Sequence, residues 1–415
     1  MKIAMMTNNY KPFVAGVPIS VERLSDGLAA LGHQVAVFAP AYPGAAESMT
    51  QANGVRVYRY RANQSATIKK GGEDVTVGDI TDRRIEGWFR SFSPDILHTH
   101  HPFLIGSTAL SLGKRYDVPV CFTYHTRYEQ YVDYFKPYAQ LRQLVGNDAP
   151  ITRPLHQFVQ EQAIPFYLRS FASRCDLLFA PTVSMAQYLA AQNVSTPVRI
   201  LPTGLAAKDY TPDRQQAIGL RRRYVRDGQF LLCTVARLAE EKNLSFLLRG
   251  LACLKANIGS TFHCLLIGEG PQKAELIALA ELLGLTEDIT FVGFVPNEIL
   301  PAYHAASDLF VFSSQTETQG IVLLEAMAAG TPAVAVNATG AKDVLVDEVN
   351  GLLTEPDEHA WANAIQRLLN DRAFLRVLGA GARKTAADFR AEAIAQKADI
   401  YYQSTVTRRR RSLSL

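Results

Sequence analysis

The sequence predicts an α/β protein built from two tandem Rossmann-like domains, and three observations carry that prediction. Short apolar runs alternate with helix-patterned stretches, the pattern of βαβ units that assemble parallel sheets. The alternation runs along the chain twice, with several strands ending in glycine or small-residue turns. A length of 415 residues is too great for one ordinary core and suits two domains of roughly 200 residues each.

In the first half the spacing predicts strands at 3–7, 35–39, 55–60, 96–98, 118–124, 177–180 and 198–201. Between the first two, residues 19–31 place Val21, Leu24, Leu28 and Leu31 on one helical face and stop at Gly32. In the second half strands are expected at 230–235, 264–267, 289–292, 309–312, 333–336 and 351–353. The stretch 202–212, with Gly204 and Asp209, reads as the linker. Two segments break the alternation. Residues 136–174 are helix-prone but interrupted by Pro150, Pro154 and Pro165, and the tail carries Arg408, Arg409, Arg410 and Arg411 in a row. A charge run of that kind reads first as a solvated end, and second as a contact for anionic lipid.

Composition excludes several classes. Apolar content of 48% and charged content of 20% permit a large interior and argue against long disorder. Five scattered cysteines without a CxxC pair give neither a disulfide framework nor a zinc knuckle, and suit a reducing cytosol. The first residues read as a buried strand, not a signal peptide, and no run of about 18 apolar residues predicts a membrane span. A net charge of +4 permits attraction to phosphate or anionic lipid but requires neither. No nucleic-acid partner is expected.

Ligands of such folds bind beyond the carboxyl ends of the strands, and five places there stand out. Gly16 lies between the first strand and helix, where free backbone N–H groups can meet a phosphate, or where the chain simply turns. His98, His100 and His101 crowd one strand end; alternation puts His98 and His100 on one face and His101 on the other. No carboxylate or cysteine follows at ligand spacing, so a polar cleft lining is favoured over a metal site. His125 ends the next strand and can hydrogen-bond a sugar hydroxyl, or be a satisfied core histidine. Arg237 and Lys242 lie five apart in one loop and can neutralise a diphosphate leaving group, or form surface ion pairs with Glu240 or Glu241. Glu317 precedes a helix and can accept sugar hydroxyls. Gly320 opens that helix to an anion, and Glu325, about two turns in, can hold a ribose diol.

Assembled in order, these residues resemble the retaining glycosyltransferases of family four. The signature is Glu317, seven residues, then Glu325-Ala326-Met327-Ala328-Ala329-Gly330-Thr331-Pro332. Arg237…Lys242, Gly268-Glu269-Gly270-Pro271, Phe291-Val292-Gly293-Phe294-Val295 and Ser307-Asp308-Leu309-Phe310 follow the same order. The resemblance runs essentially end to end and is densest over 230–356. It implies the GT-B fold with an interdomain cleft. An acceptor-binding domain would cover 1–205 and a nucleotide-sugar domain 206–385. A helix near 386–405 would pack back on the first domain, and a basic tail would cover 406–415.

Carried over residue by residue, the resemblance implies that Arg237 and Lys242 bind the diphosphate, Glu325 the ribose and Glu317 the 3-hydroxyl region of the sugar. Thr318, Gln319, Gly320 and Ile321 would offer backbone to sugar and phosphate, with Gly268 lining the donor site and Val295 framing the nucleobase. His125 would stand near the donor sugar. Gly16 would match the amino-terminal glycine loop, which in many relatives has two glycines where this chain has Ala15-Gly16. Within the family, Asn9-Tyr10-Lys11-Pro12, Thr316–Gly320 and Tyr124–Tyr131 look like the bacterial diacylglycerol glucosyltransferases, membrane-associated enzymes that use UDP-glucose. On that likeness His100, Tyr128, Glu129 and Tyr131 belong to the acceptor side, and residues 128–174 form either an interfacial region or an inserted core helix pair.

The implied partners are a UDP-sugar, a lipid acceptor and the anionic inner face of the plasma membrane. No cofactor is implied beyond the co-substrate; magnesium dependence stays open without a site for the ion. A non-lipid acceptor, a sugar-nucleotide-binding scaffold and a sugar-nucleotide epimerase are the competing readings. The last needs an acid–base pair at the sugar, which Glu317 and Glu325 do not resemble.

Overall fold

The computed structural model describes residues 1–62, 68–70, 73–75, 78–129 and 152–413. The chain forms two compact units, Met1–Gly204 with Glu392–Leu415, and Leu205–Ala391.

Among the described residues, the first unit is built on an eight-stranded sheet. Its strands are β1 (Lys2–Met6), β2 (Gln34–Pro40), β3 (Ser48–Thr50), β4 (Arg56–Tyr60), β7 (Ile96–Thr99), β8 (Val120–Thr123), β9 (Leu177–Ala180) and β10 (Val198–Ile200). They lie in the order β10-β9-β8-β7-β1-β2-β4-β3. All pairings are parallel except β3 against β4. Successive residues of β1 enter opposite cores. Ala4 and Met6 pack with Phe38, Leu97 and Phe122, whereas Ile3 and Met5 pack with Val37, Cys121 and Phe179. A sheet covered on both faces explains why its strands read as unbroken apolar runs.

The second unit has a six-stranded parallel sheet in the order β13-β12-β11-β14-β15-β16. These are β11 (Phe230–Val235), β12 (Phe262–Ile267), β13 (Ile289–Gly293), β14 (Leu309–Phe312), β15 (Ala333–Val336) and β16 (Gly351–Thr354). Here too one strand feeds two cores: Leu232 faces Leu247 and Trp361, while Leu231 and Cys233 face Leu324 and Met327.

Strand order reverses direction between β1 and β7 in the first unit and between β11 and β14 in the second. Loops leaving the carboxyl ends on either side of such a switch diverge and leave room for a ligand.

Several expectations change in the structure. The first helix is Gly16–Ala30, and Leu31, placed on its buried face by periodicity, is 38% exposed beyond the end. Strand β3, all three residues exposed, and the small antiparallel pair β5 (Ile68–Lys70) and β6 (Glu73–Val75) were not anticipated. The arginine run is no loose end. It lies in the helix Ala391–Leu413, where Arg408 donates to the Asp176 carbonyl at 2.8 Å and Arg409 bonds Asp117 at 2.8 Å. Ile394, Ala398, Tyr402 and Val406 of this helix are buried with Ile3, Val35 and Phe179, so apolar packing fixes the helix and the carboxylates receive its last turn.

Candidate active site

In the second unit the loops after β11 and β14 are laced together. Ser313 Oγ donates to the Lys242 carbonyl at 2.9 Å, and Ser314 Oγ and Thr316 Oγ1 donate to the Glu241 carbonyl at 3.2 Å each. These three hydroxyls hold the cationic loop against the acidic one. Lys242 Nζ meets Glu317 Oε1 at 2.5 Å, and Arg237 pairs with Glu241. Both pairs are only part-exposed, where a charge-assisted bond is stronger than at the open surface. The two cations and one acidic residue expected to act together are therefore side by side, each cation held by a carboxylate.

Glycines set the close approaches. Gly320, at φ +68, caps the helix Ile321–Ala329, and no side chain caps it. Glu325 is the fifth residue of that helix and is buried; at about 1.5 Å per residue it stands just over one turn in, not two, because the helix starts only at Ile321. Thr318 is part-exposed and Gln319 buried. A Cβ on Gly340 (φ +84) would fall 2.5 Å from Glu317 Cβ, so the loop after β15 presses on Glu317, which Thr316 reinforces by bridging to Thr339. Sequence reasoning missed Gly340, although a glycine just past a buried strand was the available sign. On the other flank, Gly268 (φ +133) lies against the Ala236 carbonyl and donates its N–H to Gly293 at 2.8 Å. Val295 is buried in the core with Leu265 and Phe312.

The first unit gathers a histidine cluster at the ends of β7 and β8. His98 lies 2.6 Å from the Tyr402 hydroxyl through Nδ1 and 2.7 Å from Thr123 Oγ1 through Nε2. The His100 ring lies tilted against His98, 4.2 Å between ring centroids, and His101 turns away to accept from the Asn8 backbone N–H at 3.1 Å, as alternation required. His100 Nδ1 and His125 Nε2 are 2.9 Å apart. Burial pulls His98 and His125 down to about 3 and His100 well below its ordinary value, with the neighbouring imidazoles adding to the effect at His98 and His100. All three rings are neutral near pH 7. Among the described residues no set of three or more His, Cys, Asp or Glu side chains is arranged to hold a metal ion.

The remaining expected residues are placed as follows. Gly16 begins its helix, behind an uncapped Ala15, and a Cβ there would meet nothing within 4 Å. His100 is fully buried, with His125 as its neighbour at Nδ1. Tyr128 packs edge-on to Phe103 at 5.3 Å, and buried Glu129 accepts from Arg127 Nε at 2.7 Å. Tyr131 lies outside the described residues. Among the described residues no helix is long and apolar enough to cross a membrane.

Comparison with known proteins bears on the family and the fold. Residues 14–208 match the family described as "Glycosyltransferase Family 4" and residues 220–385 match "Glycosyl transferases group 1". The chain is 27% identical to an alpha-monoglucosyldiacylglycerol synthase of Streptococcus pneumoniae, covering 89% of this chain and 78% of that protein. Identity is 26% to the protein of the same name from Acholeplasma laidlawii, over the whole of both. A GDP-mannose-dependent alpha-mannosyltransferase of Mycolicibacterium smegmatis is 28% identical over 93% and 92%. In fold, the chain superposes on a sucrose-phosphate synthase from Thermosynechococcus elongatus with a TM-score of 0.77 at 23% identity, covering 97% and 98%. With two parallel Rossmann-like sheets of the GT-B type and both halves matched, the chain belongs to the family-four glycosyltransferases and is a glycosyltransferase.

Proposed function

We propose that this enzyme transfers glucose from UDP-glucose to a lipid hydroxyl such as that of diacylglycerol, with retention at the anomeric carbon. The observation that carries the chemistry is the Lys242–Glu317 pair beside Arg237 and the uncapped helix at Gly320. Arg237 and Lys242 exchange their carboxylates for the diphosphate, and the charge that develops as the sugar–phosphate bond breaks is met by cations already in place. Glu317, released from Lys242, accepts sugar hydroxyls. Glu325 holds the ribose. The acceptor hydroxyl attacks the oxocarbenium-like centre from the face that the diphosphate leaves, and a departing phosphate oxygen takes its proton. His125 donates a hydrogen bond to the sugar.

The lipid acceptor and glucose rest on the names of the two diacylglycerol relatives. Exposed Phe158 and Phe166, the latter with the Arg169 guanidinium 5.8 Å over its ring, support a seat at an anionic membrane face.

The test is transfer by the full chain from radiolabelled UDP-glucose to detergent-dispersed diacylglycerol, with the anomer read by NMR. An α-glucolipid in the organic phase is the expected result. Label that stays in water sinks the lipid acceptor, a preference for GDP-mannose sinks the glucose donor, and a β-product sinks retention. Lys242→Ala is expected to cut turnover by about 100-fold or more. Turnover within a few-fold of wild type would remove Lys242 from the role.

A further inference from the structure

We infer that His100 is a positioning residue that fixes His125 in the tautomer carrying hydrogen on Nδ1, so that His125 meets its ligand as a donor and not as a base. The inference rests on the reading above that His125 touches the sugar, and it adds how that contact is set.

The argument starts from one hydrogen bond and one bare atom. His100 Nδ1 and His125 Nε2 are 2.9 Å apart, so one of them carries the hydrogen and the other accepts it. His100 Nε2 is buried and has no hydrogen-bond partner among the described residues. Both rings are neutral, and each therefore has a single N–H to place. If His125 donated from Nε2, the hydrogen of His100 would sit on Nε2, an N–H stranded in the interior. If His100 donates from Nδ1, Nε2 keeps only a lone pair. Buried groups left without a partner are more often acceptors than N–H groups, and the second arrangement is the one that avoids the stranded donor.

Three contacts hold the His100 ring where this exchange requires it. Its backbone N–H donates to the Met6 carbonyl at 2.9 Å. Its ring packs 4.2 Å from His98, itself pinned at both nitrogens by Tyr402 and Thr123, and 5.2 Å from the nearly parallel ring of His125. With Nε2 of His125 accepting from His100, its other nitrogen bears the hydrogen. A proton-accepting role for His125 is closed at both positions.

The test is nitrogen-15 NMR of histidine-labelled full chain, in which protonated and bare ring nitrogens are told apart by their shifts. Signals are assigned with His125→Gln and His100→Asn. The expected pattern is hydrogen on Nδ1 and none on Nε2 for both His100 and His125. Hydrogen on Nε2 of His125 in the wild type overturns the inference. His100→Asn keeps a donor near the Nδ1 position and should keep the His125 pattern. His100→Leu removes the donor and should shift His125 towards hydrogen on Nε2, with transfer lowered by about tenfold, the worth of one lost hydrogen bond. A His125 pattern unchanged in the leucine variant also overturns the inference, and should that variant fail to fold, the wild-type and asparagine spectra decide. If the spectra are as expected but His125→Gln transfers sugar as well as wild type, the tautomer assignment stands and the sugar contact of His125 falls.

Discussion

Two kinds of glycine in this chain separate the needs of the fold from the needs of a ligand. Gly268 and Gly340 have positive φ and no room, since a Cβ would fall 2.0 Å from the Ala236 carbonyl oxygen and 2.5 Å from Glu317 Cβ. Alanine at either should destabilise the second unit by about 1–3 kcal/mol, read as a lower melting temperature without ligand. Gly16 is different: a Cβ there meets open space, and the backbone is not in the left-handed region. Gly16→Ala should leave melting essentially unchanged while weakening UDP-glucose binding, measured by calorimetry. Unchanged binding would make Gly16 an ordinary turn residue. Spacing alone singled out Gly16 and Gly268 but not Gly340, because its partner Glu317 is close to it only through the pairing of Thr316 with Thr339.

At the level of elements, the C-terminal helix shows which contacts matter. Tyr402 is fully buried and its hydroxyl stays protonated, since burial lifts it well above the ordinary phenol value. Tyr402→Phe leaves His98 Nδ1 without its partner and should cost about 1–3 kcal/mol in denaturant unfolding. Arg409 holds Asp117 and Asp176 at a part-exposed surface, and Arg409→Ala should cost less than about 1 kcal/mol, fading at high salt. Equal losses from the two variants would mean that the surface ion pairs secure the helix as much as its buried hydrogen bond to His98 does. The main strands were legible because both faces of each sheet are buried, which forces continuous apolar runs such as Leu231–Cys233. Strand β3 was not, since Ser48, Met49 and Thr50 are all exposed and only backbone pairing with β4 orders them.

For the whole molecule, neutral buried histidines tie stability to pH. His98 in the first unit and His304 in the second are pulled from 6.5 to about 3 by burial. Above pH 6.5 folded and unfolded forms are both neutral at these sites, and the stability is fully present. As pH falls from 6.5 towards 3, the unfolded chain takes protons that the folded chain refuses, and stability drops by about 1.4 kcal/mol per pH unit for each histidine. Denaturant unfolding at pH 7.5 and pH 5 should therefore show loss in both units on the acid side. A flat profile would mean that these rings carry charge in the fold.

The sequence by itself determined two parallel sheets, the loops that bear Arg237, Lys242 and Glu317, and the glycosyltransferase family, because burial patterns and motif order are local properties of a chain. Tertiary structure decided what no spacing contains. It brought Lys242 to Glu317, drew the arginine run onto Asp117 and Asp176, and brought His100 to His125 from the ends of neighbouring strands. Those are distances between residues remote in sequence or between loops free to choose a path, and only the packed chain fixes them.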